Sequence, residues 1–399
     1  HILMTNKICI LCTYSFPEGM APTIRILSYG QGLVDNGCKV EVVIFQPRVG
    51  NNASPLEGYA GDVKYTYAHQ RDNSKSTLYK LFVDRPKSLI NAIKTIRESN
   101  KKEKFDCCLL SFDHPTYLLF FAPILRMMGI KIGFIGDEFP EPIRRLKSTI
   151  PLYYKLIYKF VYLFISFRVL MTEALQKFYD EMICKKPTHI LCSILNINRF
   201  DGIKKQNVTR KYMCYMGNMM LAKDNVDNII RAFKRICDDF PNIDLYLYGT
   251  PSDKDKKVVE GVISELGLDK RVFIKGRIDY SLVPQILANA EVLVTSQPVT
   301  KRAAGGFPTK LAEYMMSKTP TIVTNVGEIH CYVHDGDTVF MVEPCDDVAY
   351  AKKMRYILTH SKEAKEVAER AYEYATIHFG SKEVTKKLIG FLNKTLTNE

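Results

Sequence analysis

The chain of 399 residues has no tryptophan, only eight histidines and fewer acids than bases. The missing tryptophan decides nothing, but the other shortages do. With the His residues dispersed, no metal-ligating cluster can be read from them. Even the most apolar stretch, Ile150–Phe167, carries two lysines, which argues against a polytopic membrane protein. No period of 20–50 residues recurs, so a solenoid is excluded. Hydrophobic residues at 46% and charged residues at 25% exclude a disordered tail and a collagen-like chain. The 11 cysteines are odd in number and scattered, which reads as reduced, buried thiols in a cytosolic protein. Cys9 and Cys12 form a CxxC inside the strand-like run KICILC. Strand residues three apart point to opposite faces, so a shared metal is not expected there. His1-Ile2-Leu3 before Met4 is read as an expression remnant and set aside.

What is present is charge and alternation. Lys and Arg number 56 against 43 Asp and Glu, a formal +13 that predicts phosphates, nucleic acid or an acidic membrane surface as company. The length suits two domains. KICILCTYSF reads as a buried strand, followed by a Pro/Gly loop and a helix from about Pro22 to Asn36, stopped by Gly37. KVEVVIF, DCCLLSF, KIGFIG and FRVLMT continue the strands, with a helix around Tyr117–Met128 and a long basic-aromatic helix between them. The polar segment Arg199–Lys211 has no apolar period and marks the domain boundary. A second series then begins with KYMCYMG and a helix from about Asn225 to Asp238, and continues with IDLYLYG, RVFIKG, VLVTS and TPTIVT. The expected fold class is α/β: two Rossmann-like, doubly wound domains, residues 4–200 and 210–378, facing a central cleft. A last helix, about 381–399, is expected to pack back on the first domain.

The most informative segment is Gly305-Gly306-Phe307-Pro308-Thr309-Lys310-Leu311-Ala312-Glu313-Tyr314. The glycines let backbone approach a ligand, and Pro308 suits the start of a helix. Free N–H groups at Thr309, Lys310 and Leu311 then form an anion site. Glu313 falls on the Thr309 face one turn deeper, where it can reach the ribose hydroxyls of a nucleotide whose diphosphate sits on the helix end. An ordinary glycine loop with a solvated Glu fits the same letters.

The run from Ser296 to Pro344, with FPTKL-x-EY followed by a strand and VGEI, resembles the donor-binding region of family 4 retaining glycosyltransferases. The resemblance extends weakly along nearly the whole chain. It implies the GT-B fold, a nucleotide-sugar in the C-terminal domain and the acceptor in the N-terminal one. Glu313 resembles the second glutamate of the family's Glu–seven residues–Glu motif, which holds the ribose. The first would fall at Gly305, so the groups that meet the sugar stay open, with the backbone of Gly306 and Phe307 as candidates. The departure is read as a trait of a GGFPTKL subgroup. Gly217-Asn218 with Lys223 resembles the family's glycine–arginine loop and its lysine, which clamp the diphosphate. Lys223 matches and Asn218 replaces the arginine; Lys301, Arg302 and Lys310 are near enough in sequence to substitute. A solvated lysine before a helix is the alternative for Lys223. Gly276 and Ile278, and more weakly Gly249, are implied in base recognition, with uridine the commonest base.

On the acceptor side, Gly19 matches the family's first glycine-rich loop, although Met20 follows where a second glycine is usual. Arg25 can reach a phosphate or lie exposed on its helix. Where the family often has a histidine, this chain has Asp137 and Glu138, adjacent carboxylates at a strand end that suit acceptor activation. His114 is the other candidate, with capping or packing as its alternative. No metal and no cofactor are implied: no Asp-x-Asp stands at a strand end, and Lys223 with a helix N-terminus can meet a leaving diphosphate.

From Pro142 to Thr172 there are six basic residues and no acid, with Arg144, Arg145, Lys147 and Arg168 flanking the helix Ile150–Phe167. That composition fits an interfacial helix on anionic lipid, or a core helix with snorkelling lysines. The leading expectation is a metal-independent retaining hexosyltransferase of surface polysaccharide assembly. It would use a UDP-sugar and a glycan or lipid-linked acceptor, and would be cytoplasmic and peripheral on the inner face of the plasma membrane. Alternatives are a GT-B epimerase or phosphorylase, or a non-catalytic basic scaffold. Nucleic acid is disfavoured because the basic residues lack interleaved aromatics.

Overall fold

A computed structural model describes residues 6–45, 55–70, 74–144 and 149–397. The chain forms two compact units, one running to Asn196 and resuming at Gly380, the other spanning Ile197–Phe379.

The first unit is built on β1 (Lys7–Cys12), β2 (Lys39–Ile44), β3 (Glu57–Ala60), β4 (Val63–Tyr67), β5 (Cys107–Ser111), β6 (Lys131–Gly136), β7 (Phe167–Leu170) and β8 (Thr188–Ile190). Their order in the sheet is β3-β4-β2-β1-β5-β6-β7-β8, and only β3 runs antiparallel to its neighbour. β1 and β5 are buried at every position, as befits parallel strands covered on both faces. The sheet order reverses between β1 and β5, so the loops after these strands flank a topological switch point, the usual ligand position in such sheets. Cys9 and Cys12 are both buried in β1, and burial pushes the Cys12 thiol up to about 12. Eight of the 11 cysteines are buried, and Cys184, Cys331 and Cys345 are exposed.

The helix Ala21–Asp35 covers the segment read at Pro22–Asn36. The helix Ser381–Leu396 packs on it, burying Val384, Leu388 and Leu392. Gly32 allows the approach: a Cβ there would stand 2.3 Å from the Ser381 carbonyl oxygen. Asn36 Nδ2 donates to the Lys382 carbonyl and to Thr385 Oγ1.

The stretch Ile150–Phe167 departs from the eighteen-residue helix expected of it. Its helix is Leu152–Val161, and by Phe167 the chain has entered β7. The Ser166 N–H already bonds the Ile132 carbonyl, so pairing with β6 competes with helix propagation. No helix among the described residues is long and apolar enough to cross a membrane.

The second unit comprises β9 (Lys211–Met216), β10 (Ile243–Tyr248), β11 (Val272–Gly276), β12 (Val292–Val294), β13 (Thr321–Thr324) and β14 (Phe340–Val342). All run parallel, in the order β11-β10-β9-β12-β13-β14. Its switch point lies between β9 and β12. The polar segment Arg199–Lys211 belongs to this unit, which begins upstream of it. Lys205 Nζ lies 3.0 Å from Glu291 Oε1, and the Gln206 N–H donates to Asn289 Oδ1. Low apolar content marked a boundary here, but charge pairing is what fastens the segment.

Candidate active site

Two segments flank the switch point of the second unit: Gly217–Asp224 after β9 and the chain from Thr295 onward after β12. Their link is direct, since the Asn225 N–H donates to the Ser296 carbonyl at 2.5 Å. The helix Lys310–Met316 closes the arrangement. Its Tyr314 hydroxyl donates to the Val294 carbonyl at the end of β12 and accepts from the Met216 N–H at the end of β9. That gives the motif's tyrosine a physical task, joining the two strands on either side of the switch.

Lys310 Nζ lies 2.6 Å from Asp224 Oδ2, and the Tyr215 hydroxyl donates to the same oxygen at 2.8 Å. Asp224 is buried, which opposes ionisation. The Lys310 charge and hydrogen bond, the Tyr215 hydroxyl and the charge of Lys223 more than offset that cost and hold the carboxyl below the usual range. Lys223 is half-buried beside this pair, while Asn218 is exposed. Between them Met219 is fully buried with φ of 50°, a left-handed conformation that turns the loop while its side chain anchors in the core. Gly217, Asn218 and Lys223 therefore belong to one anchored turn.

Gly249 has φ of 132°, and a Cβ there would fall 1.8 Å from the Gly217 carbonyl oxygen, so only glycine fits. Its N–H donates to the Gly276 carbonyl, which brings the ends of β10 and β11 to the same edge. Ile278 packs against the cluster of Tyr212, Tyr248 and Tyr314.

Glu313 stands one turn along the helix, with its Oε1 2.6 Å from Arg199 Nη1. Arg199 Nη2 donates to the Tyr280 carbonyl at 2.8 Å, and its guanidinium carbon lies 3.3 Å from the Tyr280 ring centroid. Gly305 ends a short helix, Lys301–Gly305, whose capping residue is Thr300. The helix carrying Glu313 begins at Lys310 rather than at Pro308, and the Leu311 N–H is taken by the Pro308 carbonyl. Of the three N–H groups expected to be free there, Leu311's is thus occupied. Phe307 sends its ring into a pocket with Tyr332 and Phe379, while Gly306 and Thr309 are more accessible.

In the first unit, Gly19 lies in the loop after β1, which is tied down where Tyr67 accepts from the Phe16 N–H and donates to its carbonyl. Arg25 is buried rather than exposed. It pairs with Asp137 at 2.9 Å and donates to the Leu191 carbonyl. Glu138 pairs with Arg144, which also reaches Asp113. Burial pushes the Asp113 carboxyl up, against the lowering influence of Arg144. The adjacent acids at 137 and 138 are thus each matched by an arginine. His114 precedes the helix Pro115–Met127 without a side-chain cap bond, and its ring lies tilted against Tyr117 at 5.1 Å. Together with Leu81, Pro86, Leu89, Ile90 and Phe120 these side chains line a mostly apolar cavity of about 360 Å³.

The basic flank of the Leu152–Val161 helix is not what composition implied. Arg144 is committed to Glu138 and Asp113, and Arg168 is fully buried against Asp180 and Thr188. Arg145 and Lys147 lie outside the described residues.

Reading by sequence passed over Asp224, Tyr215, Arg199 and Tyr280. Only Asp224 left a local trace, as the acid directly after Lys223. Arg199 meets Glu313 across 114 positions and Tyr280 across 81, and Tyr215 meets Lys310 across 95. Among the described residues no group of three or more His, Cys, Asp or Glu is placed to hold a metal.

Residues 196–374 match the family model described as "Glycosyl transferases group 1". No curated protein sequence matches the chain. Solved structures do. Sucrose-phosphate synthase from Thermosynechococcus elongatus is 14% identical, with a TM-score of 0.75 over 99% of this chain and 100% of that one. A glycosyltransferase from Rickettsia africae is 15% identical at TM-score 0.72, covering 99% and 100%. Anabaena HepE, solved in complex with UDP-glucose, is 15% identical at TM-score 0.69, covering 98% and 100%. With the group 1 match on its second unit and the GT-B fold along its length, the chain is a glycosyltransferase.

Proposed function

We propose that this is a family 4 retaining glycosyltransferase of the GGFPTKL subgroup. It moves a sugar from a nucleotide-diphosphate donor, with uridine as the base, to a glycan or lipid-linked acceptor. One observation carries the reading: Gly217, Lys223, Lys310 and Glu313 collect on two segments flanking the switch point between β9 and β12. A nucleotide laid there has glycine backbone for close approach, a lysine for its diphosphate and a carboxylate for its ribose diol. Gly276 and Ile278 take the base through main chain, and Gly249 keeps the turn open. In unit two the donor is held; unit one, with Gly19, His114, Asp137 and Glu138, receives the acceptor.

In the reaction the acceptor hydroxyl attacks the anomeric carbon from the face that the diphosphate leaves, so configuration is retained. Lys223 stabilises the charge growing on the leaving phosphate, which takes the acceptor proton. Lys310 offers less free charge, because Asp224 already neutralises it. No metal is needed in this scheme and no cofactor enters it.

The acceptor side favours an amphiphile in polysaccharide assembly at the inner membrane face. Leu152, Leu156, Phe160 and Leu163 are all exposed and recur every three or four residues on the Leu152–Val161 helix and the turn after it. Lys155 and Lys159 border that stripe, and the helix has no acid. The cavity beside His114 suits an apolar acceptor group.

The direct test is to offer UDP-, GDP- and ADP-sugars with a lipid-phosphate-linked acceptor and to follow the product by NMR. Retained anomeric configuration with a UDP-sugar is the expected result. Inversion, or binding without turnover, would overturn the reading.

A further inference from the structure

Glu313 sits on a helix of only seven residues, and its side chain is 19% exposed. A glutamate in that position has three torsions to wander through, and fixing them costs entropy at every binding event. Here the freedom is already removed. Arg199, 17% exposed, forms one arm of the restraint with its 2.6 Å contact to Oε1. The guanidinium is itself held, by the Tyr280 carbonyl on one edge and by the Tyr280 ring against its face. Burial and the neighbouring Glu313 carboxylate push the Tyr280 phenol up. Three remote segments thus meet on one carboxylate: the turn Ile197–Phe200, the turn Tyr280–Leu282 and the helix Lys310–Met316.

We infer that Arg199 is a positioning residue for ribose recognition, orienting Glu313 so that a carboxylate oxygen faces the nucleotide's diol. The inference rests on the reading of Glu313 as the ribose ligand. A carboxylate has about four lone-pair sites, so the Arg199 bond leaves acceptor capacity for two hydroxyls.

The experiment is calorimetric titration of the full chain with UDP, GDP and ADP, each beside its 2′,3′-dideoxy form. The wild type should prefer the ribo form of its best nucleotide by roughly tenfold or more, the value of a hydrogen bond to a charged group. Arg199→Ala should cut that preference to about threefold or less while leaving dideoxy affinity in place. Arg199→Lys, which keeps charge but loses the fork, should fall between them, and it serves if the alanine variant does not fold. A preference retained in both variants, or an equal loss for ribo and dideoxy forms, would overturn the inference and leave the Glu313 assignment standing. A wild type blind to the ribose hydroxyls would remove the Glu313 assignment first, and this inference with it.

Discussion

At the scale of single residues the decisive pattern is that candidate charges are already spoken for. Lys310 is bound to Asp224, Glu313 to Arg199, Asp137 to Arg25 and Glu138 to Arg144. Lys223, half-buried beside the Asp224–Lys310 pair, is the donor-site lysine proposed to act on developing charge. Lys223→Ala should lower kcat by about 100-fold with a smaller change in KM, the signature of an interaction strengthened in the transition state. Equal effects on both constants would assign it to ground-state binding instead. Asp224→Asn strands the ammonium of Lys310 and should cost about 3 kcal/mol in denaturant unfolding at neutral pH. The pH dependence has a definite sign. The folded Asp224 pKa lies below the unfolded one, so its contribution is complete above about pH 4 and fades as acid protonates the folded group. The asparagine variant should lose that acid-sensitive component, and unfolding midpoints measured from pH 2 to 6 would show it. Glu313, Lys223, Lys310, Asp137 and Glu138 were singled out in the sequence through glycine-rich spacing, strand-end position and family likeness. Which charge pairs with which was not legible, because a pair between positions 199 and 313 leaves no local pattern.

Among the elements, buried strands were the easiest to read. KIGFIG and IDLYLY are short apolar runs bounded by breakers, and they form β6 and β10. The hairpin of β3 and β4 went unread: EGYA is a four-residue edge strand with no buried position, although VKYTY in β4 alternates buried and half-buried residues. The Ile150–Phe167 stretch misled because aromatic and aliphatic residues serve a helix face and a strand equally well. Its shortened helix still makes a prediction. Lys155→Glu with Lys159→Glu should abolish sedimentation with vesicles of phosphatidylglycerol, each lysine contributing about 1 kcal/mol at the surface. Binding of the native protein should fade as salt rises through 0.15 M, where the screening length is about 8 Å. Native protein that ignores such vesicles at low salt would leave the exposed stripe without a lipid role.

For the whole molecule, the alternation of strands with helices of ten or more residues sufficed for two doubly wound sheets, because parallel strands need crossovers. The unit boundary was less legible: polarity flags a segment as solvated, not as unattached. The excess of positive charge bears on catalysis as well. If side chains and backbone balance the leaving diphosphate, transfer rates in excess EDTA should stay within about twofold of those in Mg²⁺, since metal catalysis would be worth several kcal/mol. Collapse of activity on chelation, with recovery on adding Mg²⁺ or Mn²⁺, would contradict that scheme. The helix Ser381–Leu396 carries a different kind of consequence. It covers the first unit's core, yet 183 residues of the second unit separate it from Asn196. On the ribosome, then, the earlier-made unit waits for its own last helix until the later-made one has emerged. Nascent chains stalled before residue 380 should expose the Ala21–Asp35 surface to proteases and chaperones even after the first eight strands are complete.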